Sequence, residues 1–194
     1  GCIPSKSLLK NAEVLNYLKH ADKWGISFDN MQFDLSKAMA RSRQVSEKLV
    51  TGVKFLLKKN KVDVFNGEGY IPKAGQVEIR PEGKIIEAKN IIIATGARPR
   101  IIPGLKFDGE VIISSYDALK MQKVPEKMIV VGGGAIGIEF AYFYTTYGCK
   151  VTVIEMLPHI LPNEDEEIST ILEKSLSNYG IEISAGSPVK EITV

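Results

Sequence analysis

The spacing of apolar residues changes along the chain, and each change predicts a different kind of element. Apolar residues at helical spacing predict a first helix over residues 5–24 and a second over residues 34–59. Asp34 or Ser36 is expected to cap the second helix. From residue 62, apolar and polar residues alternate in short runs that are separated by glycine- and proline-rich turns. This pattern predicts a small antiparallel meander over residues 62–87.

Two predicted strands have different patterns, and the first of them opens the meander. Val62–Phe65 alternates apolar and polar residues, which is typical of a strand with one buried face. Residues 90–96 contain three consecutive isoleucines and predict a strand that is buried on both faces and ends in a tight turn. Residues 98–125 form a connection, with a short helix expected at 115–121.

After the connection, strand and helix patterns alternate. This order predicts a parallel sheet with right-handed crossovers and makes the chain an α/β protein with an added antiparallel meander. The predicted elements are a strand at 128–131, a helix at 135–147, a strand at 150–155, a helix at 164–178 and a strand at 181–184.

Composition narrows the class of protein. The chain has 194 residues, of which 44% are hydrophobic and 25% charged, as in ordinary soluble globular proteins. A formal net charge of +2 gives no reason to expect nucleic acid as a partner. Because no apolar run approaches the roughly 20 residues needed to span a bilayer, no membrane association is expected. Two cysteines are too few for a secreted disulfide scaffold, which favours the cytoplasm or, in a eukaryote, the mitochondrial matrix.

A glycine fingerprint follows the first strand of the alternating region. Gly132, Gly134 and Gly137 form G-x-G-x-x-G at the start of a helix, and Glu155 ends the next strand. This context predicts a Rossmann-like dinucleotide site, with the pyrophosphate at the helix N-terminus. The residues expected at the dinucleotide are Gly132, Gly133, Gly134, Ala135, Ile136, Gly137, Ile138, Glu139 and Glu155.

The identity of the dinucleotide depends on Glu155. A carboxylate accepts hydrogen bonds from a ribose 2′-hydroxyl and repels a 2′-phosphate, and no arginine occurs in Met156–Pro162. NAD is therefore favoured over NADP. FAD uses the same fingerprint, and a glycine turn that binds nothing is the other alternative.

The two cysteines have different surroundings. Cys2 precedes Lys6 at the start of the first helix, where the helix dipole and a lysine stabilise a thiolate. The alternative is an unreactive small residue. Cys149 stands at the start of an alternating strand and is expected to be buried and structural. The spacing of cysteines and histidines gives no metal motif, and His20 and His159 are expected in surface or capping roles.

The first nine residues, GCIPSKSLL, resemble the second half of the redox-disulfide motif of the pyridine nucleotide-disulfide oxidoreductases. The resemblance implies that Cys2 is the flavin-proximal cysteine, which forms a charge-transfer complex, and that Lys6 lies near the isoalloxazine ring. It also implies further cofactor contacts, to FAD from Gly69, Thr95, Gly96 and Ala97 and to the NAD adenine from Val189.

The resemblance covers essentially the whole chain and divides it into three parts. Residues 1–112 correspond to part of an FAD-binding domain, 113–124 to a connection, and 125–194 to an NAD-binding Rossmann domain cut short at its C-terminal end. The first redox cysteine, the first FAD fingerprint and the catalytic His-Glu pair would lie outside these residues. We therefore expect an internal piece of a longer enzyme, inactive alone.

The function implied by the resemblance is dithiol oxidation. The stretch Glu155–Ile168 is most similar to members that oxidise dihydrolipoamide, passing electrons through a cysteine pair and FAD to NAD. The implied partners are a lipoyl domain of a 2-oxo acid dehydrogenase or glycine cleavage complex and a second copy of the chain in a homodimer. The alternatives are a non-catalytic NAD-binding fragment and a reductase similar to glutathione or mercuric reductase.

Overall fold

The computed structural model describes residues 1–102 and 105–192. The chain divides into two compact units, one formed by Gly1–Glu47 with Arg100–Val194 and the other by Lys48–Pro99. This division follows compactness and does not test which cofactor each part would bind. The assignment of 1–112, 113–124 and 125–194 to separate cofactor domains stays a prediction.

Two long helices open the chain. Helix α1 spans Cys2–Lys19 and is followed by a short 3-10 helix at Ala21–Trp24, so the predicted first helix is present in two pieces. Helix α2 spans Leu35–Lys59. Asp34 caps α2 as predicted, because its Oδ1 accepts hydrogen bonds from the backbone N–H groups of the next turn, at 2.9 Å from Ser36 and 3.3 Å from Lys37.

The antiparallel meander forms, but it begins later than the pattern predicts. Its strands are β1 at Glu68–Lys73, β2 at Gln76–Arg80 and β3 at Lys84–Glu87, in that order in the sheet. The predicted strand at Val62–Phe65 is wrong, since this segment has no regular structure and Val64 is 61% exposed. Alternation alone does not make a strand where no neighbouring strand supplies hydrogen bonds.

The predicted buried strand at residues 90–96 is also wrong. The segment has no regular structure, and Ile92 and Ile93 are 90% and 72% exposed. A strand buried on both faces needs paired strands at its sides and layers above and below. Within the described part of the chain neither sheet includes this segment, so its apolar run remains uncovered.

The alternating region folds as predicted. Strands β4 (Lys127–Val131), β5 (Lys150–Ile154) and β6 (Glu182–Ser184) form a parallel sheet in that order, with Met128 beside Val151 and Val153 beside Ile183. The elements in this region are α3 at Ser115–Ala118, β4 at Lys127–Val131, α4 at Ala135–Thr146, β5 at Lys150–Ile154, α5 at Glu166–Asn178 and β6 at Glu182–Ser184.

The core of the first unit lies where α4 packs on the sheet. Phe143 and Tyr144 of α4 and Val151 and Val153 of β5 are almost completely buried. Helix α1 packs against α4, and its core-facing residue Leu8 is 1% exposed. As a result, the first helix of the chain and the glycine turn are held in the same unit. None of the helices within the described ranges is both long and apolar enough to cross a membrane.

Candidate functional site

The glycine turn connects β4 to α4, and its glycines meet different demands. Gly132 has a φ of +109°, which side chains rarely tolerate, and its N–H donates to the Ile154 carbonyl at 2.8 Å. A Cβ at Gly137 would overlap the Gly132 carbonyl oxygen and lie 3.0 Å from Val130 Cγ1. The helix can therefore pack this closely on the turn only with glycine at position 137.

Gly134 faces open space. A Cβ built at this position would meet no atom within 4 Å, and the residue is the N-cap of α4 in an extended conformation. The backbone is thus accessible at the end of the helix where unpaired N–H groups favour an anion. This is the geometry that a dinucleotide pyrophosphate requires, so the turn fits the predicted ligand.

Glu155 lies directly against the glycine turn. Its side chain is buried, with Oε2 accepting the Gly133 N–H at 2.7 Å and Oε1 accepting the Leu157 N–H at 2.8 Å. Each carboxylate oxygen has a second lone pair, so the group retains acceptor capacity for a ligand hydroxyl. The structure brings the carboxylate to the turn from a position 22 residues away.

The remaining predicted residues of the fingerprint form the first turn and a half of α4. Ile138 points into the core and is 7% exposed, so its side chain supports the helix. Ile136 is 62% exposed, and Ala135 is exposed beside it. Glu139 is half-buried and forms an ion pair with Lys6 of α1.

The Lys6–Glu139 pair joins the start of α1 to the start of α4. Cys2 is the first residue of α1, exposed and with a free thiol, and Lys6 lies one turn further along the helix. The sequence predicts a flavin contact for Lys6 and a dinucleotide contact for Glu139, and it does not predict their contact with each other. The two residues are 133 positions apart, and no local pattern signals a pair at that separation.

The other predicted FAD contacts lie in the second unit. Gly69 lies in β1, opposite Ile79 of β2. Thr95, Gly96 and Ala97 are exposed in the segment that does not form a strand, although Gly96 has the positive φ of +78° that a tight turn requires. Their contact with FAD stays a prediction.

Val189 follows β6 in the first unit and is half-buried. The segment that leads to it starts beside the dinucleotide site, since the Ser187 N–H donates to the Glu155 carbonyl oxygen at 2.8 Å. This course is compatible with the predicted contact to the NAD adenine, which stays a prediction.

The remaining cysteine and histidines have the structural surroundings predicted for them. Cys149 is buried, and burial raises the pKa of its thiol, which disfavours the reactive thiolate. The Nδ1 atoms of His20 and His159 lie 2.9 and 3.0 Å from the carbonyl oxygens of Asn16 and Ile160. Across residues 1–102 and 105–192, no cluster of histidine, cysteine and acidic side chains is placed to hold a metal ion.

The chain is similar in sequence and in structure to proteins of one family. The family model described as pyridine nucleotide-disulphide oxidoreductase matches residues 1–194. Proteins named dihydrolipoyl dehydrogenase from Chlorobaculum parvum and Zymomonas mobilis are each 45% identical to the chain over its full length, which spans 42% of theirs. Among solved structures, LpdA from Mycobacterium tuberculosis matches the whole chain at 27% identity with a TM-score of 0.85, and the chain covers 43% of it.

A flavoprotein disulfide reductase from Escherichia coli, RclA, is also similar. It is 25% identical, with a TM-score of 0.76, over 99% of this chain and 40% of its own. The chain thus spans less than half the length of the relatives that it matches.

Proposed function

Because the chain belongs to the pyridine nucleotide-disulphide oxidoreductase family, we propose that it is the part of a dihydrolipoyl dehydrogenase that carries the flavin-proximal cysteine and the NAD site. Members of this family use FAD and NAD(H). The substrate assignment is supported by the relatives named dihydrolipoyl dehydrogenase, to which identity reaches 46%. The activity belongs to the longer protein, in which this chain supplies part of the machinery.

The observation that carries the proposal is the Glu155 carboxylate against the glycine turn. The carboxylate accepts the Gly133 N–H and leaves lone pairs for the ribose hydroxyls, while the open backbone at Gly134 receives the pyrophosphate. A 2′-phosphate would bring a second anion against this carboxylate, so the site selects NAD. Val189 contacts the adenine.

At the start of α1, Cys2 and Lys6 serve the flavin. FAD supplies the electron-transfer chemistry, and the protein contributes orientation and electrostatics. Cys2 presents an exposed thiol at the first residue of α1. Lys6 places a positive charge one turn away, and Glu139 holds its ammonium group. Gly69, Thr95, Gly96 and Ala97 complete the contacts of this chain with FAD.

The partners follow from the proposed substrate. Dihydrolipoamide is presented on a lipoyl domain of a 2-oxo acid dehydrogenase or glycine cleavage complex, and the protein acts as a homodimer. A reducing compartment, the cytoplasm or the mitochondrial matrix, is proposed because two cysteines are too few for a secreted disulfide scaffold.

The proposal is tested by dihydrolipoamide-dependent reduction of NAD in the flavin-loaded longer protein that contains this chain. Cys2→Ser is expected to abolish turnover because serine cannot form the redox disulfide, whereas Cys149→Ser, at a buried position, is expected to retain it. Turnover that survives Cys2→Ser would contradict the role of Cys2. Turnover with glutathione disulfide and NADPH in place of lipoamide and NAD would contradict the substrate.

A second function, NAD binding without catalysis, is favoured by one observation. The segment that should contact FAD is exposed and outside both sheets, whereas the glycine turn and the Glu155 carboxylate are in contact through the Gly133 N–H. The visible absorption spectrum of the purified chain distinguishes the two functions. Flavin bands near stoichiometric occupancy support the enzyme for this chain, and a colourless protein that binds NAD supports the second function.

A further inference from the structure

Leu161 has a backbone conformation that a leucine avoids. Its φ is +47°, in the left-handed region where the Cβ crowds the backbone, and it follows the completely buried Ile160 in the loop between β5 and α5. A side chain persists in this region only where the surrounding structure holds it. Leu161 is held by backbone hydrogen bonds on both sides, to the glycine turn and to Glu164 before α5.

The loop is fixed to the glycine turn through Gly133. The Leu161 N–H donates to the Gly133 carbonyl oxygen at 2.8 Å, and Ile160 Cγ2 lies 3.0 Å from the point where a Cβ on Gly133 would stand. On its other side, the Leu161 carbonyl accepts the Glu164 N–H at 2.8 Å, just before α5 begins. Leu161 therefore links the start of α5 to the middle of the turn.

This link fixes the direction of a peptide plane. The peptide bond between Gly133 and Gly134 is trans, so its carbonyl and its N–H point in opposite directions. Because the Gly133 carbonyl points to Leu161, the Gly134 N–H points away from the loop. The N–H of Gly133 is already held by Glu155, so both polar groups of this glycine are fixed.

We propose that Leu161 is a positioning residue for the dinucleotide, which aims the Gly134 N–H at a phosphate by holding the Gly133 carbonyl. Glycine has almost no preference between the conformations of this turn, so an unheld peptide would sample other orientations. The loop removes that freedom before the ligand arrives, which lowers the entropic cost of binding phosphate. The proposal rests on the proposed NAD site.

The test compares two substitutions at one position by calorimetric titration of the chain with NAD, ADP and adenosine. Leu161→Gly keeps the N–H and adopts the positive φ freely, so all three affinities are expected to stay within about threefold. Leu161→Val adds a β-branch that opposes the positive φ, and NAD and ADP are expected to bind about tenfold more weakly. Adenosine has no phosphate and serves as the matched control, expected to be unchanged in both variants.

A second variant removes the hydrogen bond without changing the side chain. Incorporation of the α-hydroxy acid analogue of leucine at position 161 replaces the N–H by an ester oxygen, and the same selective loss of ADP and NAD is expected. An equal loss of adenosine, or unchanged ADP binding in both Leu161→Val and the ester, would overturn the positioning role. Failure of the parent chain to bind NAD or ADP would instead contradict the NAD site itself.

Discussion

Gly134 and Gly137 occupy the same short motif, and their surroundings differ in a way that separates folding from binding. At Gly137 a Cβ would overlap backbone, which cannot yield without moving the helix from the turn. At Gly134 a Cβ would meet only open space, and the residue's φ of −73° suits any amino acid. Gly137 is thus required by the fold, whereas Gly134 is expected to be required by the proposed dinucleotide.

Alanine at each position should therefore give opposite results. Gly137→Ala is expected to lower the free energy of unfolding by about 1–3 kcal/mol, the usual cost of overpacking. Gly134→Ala is expected to leave the free energy of unfolding within about 0.5 kcal/mol of the parent, as at most surface positions, and to weaken NAD binding because the methyl group occupies the ligand's space. Urea unfolding and NAD titration of both variants check the pair. A loss of stability in Gly134→Ala equal to that in Gly137→Ala would contradict the assignment.

At the scale of elements, the start of α5 is fixed by residues that are adjacent in sequence, an N-cap and an acidic first turn. Asp165 is its N-cap, with the side chain accepting the Glu167 N–H at 2.9 Å, and Glu166 and Glu167 occupy the first turn. A cap and early acidic residues satisfy the free N–H groups and complement the helix dipole. Since the loop that precedes α5 contains Leu161, fraying of α5 would also loosen the contact with Gly133.

Asp165→Ala is expected to lower the free energy of unfolding by about 1 kcal/mol because it removes the cap acceptor. Asp165→Asn keeps an acceptor oxygen in place and should change stability far less. Thermal or urea unfolding of the two variants measures the difference. Equal effects of alanine and asparagine would show that the charge, and not the capping hydrogen bond, stabilises the helix.

Local patterns predicted the elements that find their partners nearby. The order of β4, α4, β5, α5 and β6 followed from periodicity because each strand pairs with the next one along the chain. The segments 62–65 and 90–96 have equally clear apolar patterns but no pairing strand in the described structure. An apolar pattern indicates which side chains of a segment could be buried. Whether the segment becomes a strand depends on a neighbouring strand, which the pattern of the segment itself does not reveal.

For the site, the spacing of the glycines and Glu155 was sufficient to predict a glycine turn between a strand and a helix, with the carboxylate at the end of the next strand. Dinucleotide binding at this turn stays a prediction. The contacts of Lys6 with Glu139 and of Leu161 with Gly133 could not be predicted. The first joins residues 133 positions apart, and the second depends on a backbone conformation that a leucine rarely adopts. Both arise from packing between elements.

At the scale of the whole molecule, several side chains in or against the core are phenols and a thiol whose neutral, protonated form is favoured by burial. Burial raises the pKa values of the Tyr142, Tyr144 and Tyr147 phenols and of the Cys149 thiol. The Tyr144 hydroxyl also donates to the Ala118 carbonyl at 2.6 Å, which ties α4 to α3. Because the pKa values are raised in the folded state, the unfolded state loses these protons first as pH rises. The free energy of unfolding therefore has its full value below the ordinary pKa values of these groups and falls as pH rises above them.

The chain is therefore expected to lose stability between pH 9 and 11, since the ordinary pKa values are 9.0 for the thiol and 10.0 for the phenols. Urea unfolding at pH 8 and pH 10.5 measures the loss. Tyr144→Phe removes a hydrogen bond, so it should lower the free energy of unfolding at pH 8 by about 0.5–1.5 kcal/mol. It also removes one of the titrating groups, so the further loss between pH 8 and pH 10.5 should be smaller than in the parent. An unfolding midpoint independent of pH over this range would contradict the burial of these groups.

The most direct test of the account is calorimetric titration of the chain with NAD and with NADP under the same conditions. The carboxylate of Glu155 beside the glycine turn predicts that NAD binds and that NADP binds at least about tenfold more weakly, because its 2′-phosphate meets a buried anion. Equal affinities, or tighter binding of NADP, would contradict the role of Glu155 and favour a relative that uses NADPH.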